Sequence, residues 1–225
     1  MLVNIWHGSE NIIKKPKFGS GKAHNDYGQG FYCTKDINMA REWAVRENKS
    51  GYANEYVIDD SGLSVLDLQS DDYNVLHWIT ILLQNRIFDL NTPLAKEAYR
   101  YLTETFSLPY QEYDVIIGYR ADDSYFSFAK DFVNGTISVR QLSEALHLGN
   151  LGEQYVLKSR RAFNRVEFIG YEAADSRMWY PKKEARELKA RSDYHNTDKN
   201  VYIRGDIFIT KIIDEEMKPD DTRLQ

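Results

Sequence analysis

His7, Gly8 and Ser9 close the first apolar run of the chain, and about 20 residues later Gly28-Gln29-Gly30-Phe31-Tyr32 opens a second. Ala40, Trp43 and Ala44 follow at helical spacing. An imidazole at a strand end can hydrogen-bond sugar hydroxyls. A glycine after it brings its own peptide N–H and C=O close to a ligand, because no Cβ intervenes. Ser9 adds a hydroxyl, and Tyr32 and Trp43 supply two flat rings between which a third can stack. Such a set suits a flat, sugar-bearing ligand. The patterns GxGxxG, GKS or GKT and GxSxG are absent, which removes the signatures of dinucleotide folds, P-loop enzymes and α/β-hydrolases. One Cys and five scattered His without HExxH exclude a disulfide framework and a multi-thiolate metal site, so no metal is expected.

The stretch WHGSENIIKKPKFGSGKAHNDYGQGFYCTKDINMAREWA resembles the donor half of ADP-ribosyltransferases of the diphtheria-toxin and poly(ADP-ribose) polymerase type. That superfamily carries HGS on its first strand, GxGFY or GxGIYF on its second, and an aromatic eleven residues after the Tyr, where Trp43 stands after Tyr32. From HGS through DVIIGYRADD to an EQY strand, residues 3 to 170 are similar to an uncharacterised bacterial family within it. The resemblance implies NAD as co-substrate, with His7, Gly8, Ser9, Gly30, Tyr32 and Trp43 binding it. It implies a glycosyltransferase, a mono-ADP-ribosyltransferase that cleaves the nicotinamide–ribose bond and moves ADP-ribose to a protein or nucleic-acid acceptor. An NAD glycohydrolase, or a pseudo-enzyme that binds NAD or ADP-ribose, is the alternative. Toxin-like bacterial relatives add a neutralising partner to the expected partners.

The superfamily completes its site with a Glu on a late strand. Two segments compete for that place. Asn54-Glu55-Tyr56-Val57 matches the polymerase-like NEYI pattern but follows Tyr32 by only 23 residues, where the class has its third strand. Glu153-Gln154-Tyr155-Val156-Leu157 comes in the right chain order and is preferred. Matched on the Tyr, Gln154 takes the Glu position, so His7, Tyr32 and Gln154 are the expected catalytic residues. Glu153 is expected on the opposite face of that strand. An amide holds a hydroxyl but carries no charge, and chain elongation is not expected from it. Asp122-Asp123 can orient an acceptor or cap a helix, and Lys158-Ser159-Arg160-Arg161 can meet phosphate or form a solvated turn.

The elements that must position these residues read as follows. Leu2 to Trp6 is a strand running into a turn at His7-Gly8-Ser9, where a side chain has few packing neighbours. Asn11 to Asn25 is a Gly- and Lys-containing loop. Asp36 caps a helix that runs to about Asn48. Glu55 to Ile58, Leu63 to Leu68, Tyr113 to Gly118, Glu153 to Leu157 and Val166 to Ile169 are strand-like. Tyr73 to Arg86, Leu94 to Phe106, Asp123 to Val133, Ser138 to Leu146 and Pro181 to Tyr194 are helical, the last opened by its proline. The final eight residues read as frayed. Strands and helices mix without strict alternation, so the class is α+β. The resemblance makes it a split mixed β-sheet of ADP-ribosyltransferase-like fold. An NAD-binding unit at 1–172 would hold a helical insert at about 71–147, and 173–225 would be a C-terminal helical extension of the same domain.

The 225 residues carry a net charge of -5 with 42% hydrophobic residues, an ordinary globular balance. Residues 54–151 hold 15 acidic against 6 basic side chains, and 158–204 hold 12 basic against 7 acidic. That basic C-terminal third is a candidate face for phosphate or an acidic partner. No charged leader precedes an apolar run, and Val75 to Leu83 is too short to span a bilayer. The expectation is a cytoplasmic protein with no membrane partner.

Overall fold

The structure, a computed structural model, describes residues 1–121, 123–146, 152–196 and 203–224. It is a mixed α+β arrangement of two open sheets with eight α-helices among the described residues. The first sheet has the order β1 (Leu2–Ser9), β3 (Gly51–Asp59), β7 (Val166–Ala174), all antiparallel. The second has the order β2 (Phe31–Cys33), β6 (Glu153–Leu157), β5 (Val115–Tyr119), β4 (Val65–Asp67), parallel only between β4 and β5.

The second sheet is covered on both faces, which explains why its strands read as continuous apolar runs. Ile116 and Val156 face a core built with the helices α2 (Val75–Asn85), α3 (Pro93–Thr105), α4 (Asp123–Val133) and α5 (Val139–Leu146). Val115, Ile117, Tyr155 and Leu157 face the other way and pack with Ile5, Tyr56 and Ile58 of the first sheet. Alternation of side chains along each strand sorts the residues between the two cores.

Among the described residues, backbone pairing between the sheets is confined to one bridge. Trp6 N–H donates to the Thr34 carbonyl at 2.7 Å and Thr34 N–H to the Trp6 carbonyl at 2.9 Å. Beyond it β1 and β2 part. The sequence places a turn at His7-Gly8-Ser9, but β1 continues through all three, because β3 pairs His7 with Asn54, Gly8 with Ala53 and Ser9 with Tyr52. Ladder pairing overrides the local turn signal of Gly and Ser.

Helix α1 (Ile37–Ala44) opens with the Asp36 carboxylate accepting from Asn38 N–H at 2.8 Å, and it ends at Ala44 rather than near Asn48. It packs on β1 so closely that a Cβ on Gly8 would stand 2.0 Å from the Ala40 carbonyl oxygen and 2.7 Å from the Ala44 nitrogen. Gly8 is therefore a packing requirement of the helix as well as a lining residue of the cleft below.

A four-residue helix, α6 (Arg160–Phe163), joins β6 to β7. Helix α7 (Ser176–Asn196) begins five residues before its proline instead of at it. Asp175 starts it, its carbonyl accepting from Met178 and Trp179 N–H and its carboxylate from Arg177 N–H at 2.9 Å. Pro181 lies in the second turn of the helix and lacks the N–H that would donate to the Arg177 carbonyl. Trp179 buries against Ala44, Val45 and Ala174, and Arg186 grips the buried Glu42 of α1 through two nitrogens at 2.9 and 3.0 Å. Helix α8 (Ile209–Asp214) and the segment after it join the helical core through Ile209, Ile212, Met217 and Leu224. The tail to Leu224 is thus docked, not frayed, since two apolar side chains near its end find buried places.

Candidate functional site

Where β1 and β2 diverge, a cleft of about 810 Å³ opens, within the size of small-molecule sites. His7 and Gly8 come to it from β1, Gly30, Phe31 and Tyr32 from the turn into β2, Trp43 from α1 and Gln154 from β6. Segments separated by more than 100 residues in sequence therefore share one surface.

His7 Nδ1 donates to the Tyr32 carbonyl at 2.7 Å, and its ring stacks on Phe31 with centroids 4.3 Å apart. This differs from the sparse packing expected of a turn residue, because β1 carries His7 alongside β2. Burial lowers its pKa below the usual imidazole value, opposed by the Tyr32 carbonyl. The neutral ring with Nδ1 protonated leaves Nε2 as an acceptor. Gly8 shares the strand edge of Trp6, since peptide groups alternate along a strand. Its N–H and C=O face the widening gap between the sheets.

Tyr32 offers the cleft its ring but not its hydroxyl, which donates to the Gly28 carbonyl at 2.5 Å and accepts from Tyr27 N–H at 3.0 Å. Trp43 is half-buried, with the Arg120 guanidinium 5.3 Å from its ring centre. The indole N–H is buried and has no hydrogen-bond partner among the described residues. Ser9 is not among the lining residues. Its hydroxyl donates to the Asn11 carbonyl and accepts from Asn54 Nδ2 at 3.2 Å. Asn54 itself is fully buried and also holds the His7 carbonyl and Ile13 N–H, so it fixes the strand end from behind.

Of the two segments competing for the late carboxylate position, only one reaches the cleft. Gln154 lines it at 7% exposure. Glu55 pairs across from Trp6 and Gly170 and is not a lining residue. Glu153 points to the other face of β6 and meets Lys35 at 3.1 Å. Gln154 Oε1 is buried and without a hydrogen-bond partner among the described residues.

Sequence reasoning missed Asp26. It is 4% exposed, lines the cleft and stands beside Gln154. Its carboxyl accepts from Ala121 N–H at 3.0 Å, meets Arg86 Nε at 3.2 Å, and has the Gln154 side chain beside it. Burial raises its pKa to about 6, against the pull of Arg86, Ala121, Arg120 and Gln154. The neighbouring Tyr27 anchors it, donating its hydroxyl to the Tyr119 carbonyl at 2.6 Å and accepting from the Trp78 indole at 3.1 Å. A readable signal existed: between Glu10 and Asp36, Asp26 is the single acidic residue, in a loop that holds Lys14, Lys15, Lys17 and Lys22.

Lys15, Lys17 and Lys22 line the cleft together with Arg86 and Arg120. A chain of net charge -5 thus concentrates cations on one concave surface, which favours an anionic ligand. In the basic C-terminal third, the run that begins at Lys158 makes local contacts. Lys158 holds the Tyr27 carbonyl and, at 2.7 Å, that of Gln29, and burial lowers its pKa to about 8. Ser159 caps α6 and bonds Asp114, and Arg161 bonds the Gly62 carbonyl at 2.6 Å. This run braces the glycine turn and β5. Asp122 and the side chain of Asp123 lie outside the described residues. No cluster able to hold a metal ion is found among the described residues, and none of their helices is long and apolar enough to cross a membrane.

A family model described as "Protein of unknown function (DUF3990)" matches residues 3–168. No curated protein and no solved structure matches the chain.

Proposed function

The chain belongs to the DUF3990 family, and from the geometry of its cleft we propose that it is an NAD-dependent mono-ADP-ribosyltransferase. The observation that carries the reading is the convergence of His7, Gly8, Gly30, Tyr32, Trp43 and Gln154 on one cleft walled by cations. The nicotinamide ring would lie between the Tyr32 and Trp43 rings. Gly8 peptide groups would hold its carboxamide, and His7 Nε2 would accept from a ribose hydroxyl. Lys15, Lys17, Lys22, Arg86 and Arg120 would face the pyrophosphate.

In the reaction the bond between ribose C1′ and the pyridinium nitrogen breaks with both electrons passing to nicotinamide, which leaves neutral. C1′ takes on oxocarbenium character, as in glycoside hydrolysis. A nucleophilic oxygen or nitrogen of the acceptor then bonds to C1′ and gives up its proton. Stacking orients the leaving ring.

Gln154 favours a second reading. A carboxylate about 4 Å from the developing cation would be worth roughly 4 kcal/mol at an effective dielectric of 20, and an amide supplies less. An NAD- or ADP-ribose-binding module with slow or no turnover accommodates that, as does a weak NAD glycohydrolase.

Pure protein incubated with NAD and assayed for free nicotinamide separates turnover from binding alone. NAD labelled in the ADP-ribose part and added with cell lysate separates transfer from hydrolysis. Label retained on macromolecule is the result expected. Absence of both nicotinamide release and calorimetric binding of NAD would overturn the proposal.

A further inference from the structure

Among the described residues the cleft is lined by one carboxyl group, and it stands against the amide at the position where the superfamily resemblance implies an acid. Both side chains are more than nine-tenths buried. Asp26 is held by Ala121 N–H and by Arg86, and the Gln154 side chain stands beside it. A carboxylate only accepts hydrogen bonds, so the Gln154 group that meets it is the NH₂. The carbonyl end, Oε1, is then the end without a partner. A buried acceptor left bare costs free energy unless a ligand satisfies it.

We propose that Asp26 is a positioning residue that fixes the Gln154 amide so that Oε1 is offered to a ribose hydroxyl of the ligand. The pair divides the work of a single carboxylate. Gln154 supplies the accepting oxygen, and Asp26 supplies the negative charge one hydrogen bond behind it. The choice of ribose rests on the NAD reading above; the pairing of the two side chains does not.

The arrangement has a pH dependence of known sign. Burial raises the Asp26 carboxyl to about 6. Arg86, Arg120, Tyr27 and Tyr32 face it, and burial pushes both tyrosine hydroxyls further above their ordinary value. Once protonated, Asp26 can donate to Oε1, and the amide loses its single orientation. Ligand binding therefore weakens as pH falls through about 6.

Four proteins test the proposal: wild type, Asp26→Asn, Gln154→Glu, and the double variant carrying both. The probes are ADP-ribose and NAD, with affinity read by calorimetry at pH 8 and pH 5.5, and melting temperature read without ligand. Gln154→Glu alone sets two carboxyls side by side, which then share a proton. Asp26→Asn alone lets the Gln154 amide pair either way round. Each single change is expected to weaken ADP-ribose binding about tenfold or more at pH 8, the scale of one misplaced hydrogen bond. The double variant exchanges carboxylate and amide and is expected to recover most of the loss. The wild-type affinity is expected to drop between pH 8 and 5.5, and that of Asp26→Asn to stay flat over the part of the range His7 does not affect. Additive losses in the double variant, or a wild-type pH profile kept intact by Asp26→Asn, would overturn the proposal. Should the wild type bind neither probe, the NAD reading fails, and melting temperatures decide the pairing alone. Gln154→Glu should then destabilise the wild type and cost far less on the Asp26→Asn background, whereas equal costs on both refute the pairing.

Discussion

Asp26 is ionised at neutral pH only against the environment the fold gives it. Its pKa is about 6 in the native state against 3.8 for the free group. The unfolded chain therefore loses its proton first, and native stability falls as pH rises from 3.8 to about 6. At about 1.4 kcal/mol per pH unit, the loss is about 3 kcal/mol. Asp26→Asn should melt above the wild type by a margin that grows across this window and is constant above it. A margin independent of pH would show that the carboxyl titrates normally. Destabilising charge retained in a cleft is a mark of functional sites. Trp43 makes a separate prediction. It is half-buried, lines the cleft, and has the Arg120 guanidinium near its ring. Trp43→Ala should weaken NAD binding by about 1–3 kcal/mol, read by calorimetry, with the far-ultraviolet circular dichroism unchanged. A variant that unfolds while keeping its affinity in the folded fraction would make Trp43 a core residue only.

At the scale of elements, the contact between α1 and β1 is the tightest the site depends on. Gly8→Ala puts a methyl group 2.0 Å from the Ala40 carbonyl oxygen, so α1 must lift from β1 and carry Trp43 with it. A loss of about 1–3 kcal/mol or more is expected, read as a lower urea midpoint, along with loss of NAD binding. The elements were legible where their signals were local. Asp36 before Met39 and Ala40, and the Tyr-, Leu- and Ile-rich strands, sit in the structure as their patterns require. The end of β1 was not, because the Gly and Ser there are held extended by β3, a partner 45 residues away. The start of α7 was not, because Asp175 and the buried Trp179 outweigh Pro181. Of the cleft residues, those on the HGS and GQGFY segments could be picked out by type and order, and Gln154 of the EQY segment through the superfamily resemblance alone. Asp26, Arg86 and Arg120 could not, since they reach the cleft from a loop, a helix end and a strand end that only tertiary packing brings together.

For the molecule as a whole, the C-terminal segment is part of the same packing that supports the helices. Met217 and Leu224 are each 2% exposed in the core shared with α2 to α5, and Tyr101 donates to the Met217 carbonyl at 2.9 Å. Removal of residues 217–225 should cost about 3–6 kcal/mol, at roughly 1.5–3 kcal/mol for each large apolar side chain. The urea midpoint checks it, and an unchanged midpoint would mean that the segment adds nothing to the core. The single bridge between the sheets has a kinetic consequence. The amides of Trp6 and Thr34 are the stitch at the point where the two walls of the cleft separate. Their exchange with deuterated solvent measures how often those walls part. A ligand that touches β1 on one side and β2 and β6 on the other must slow that exchange. Protection confined to these two amides and their neighbours on addition of ADP-ribose would locate the ligand in the seam without any assay of turnover.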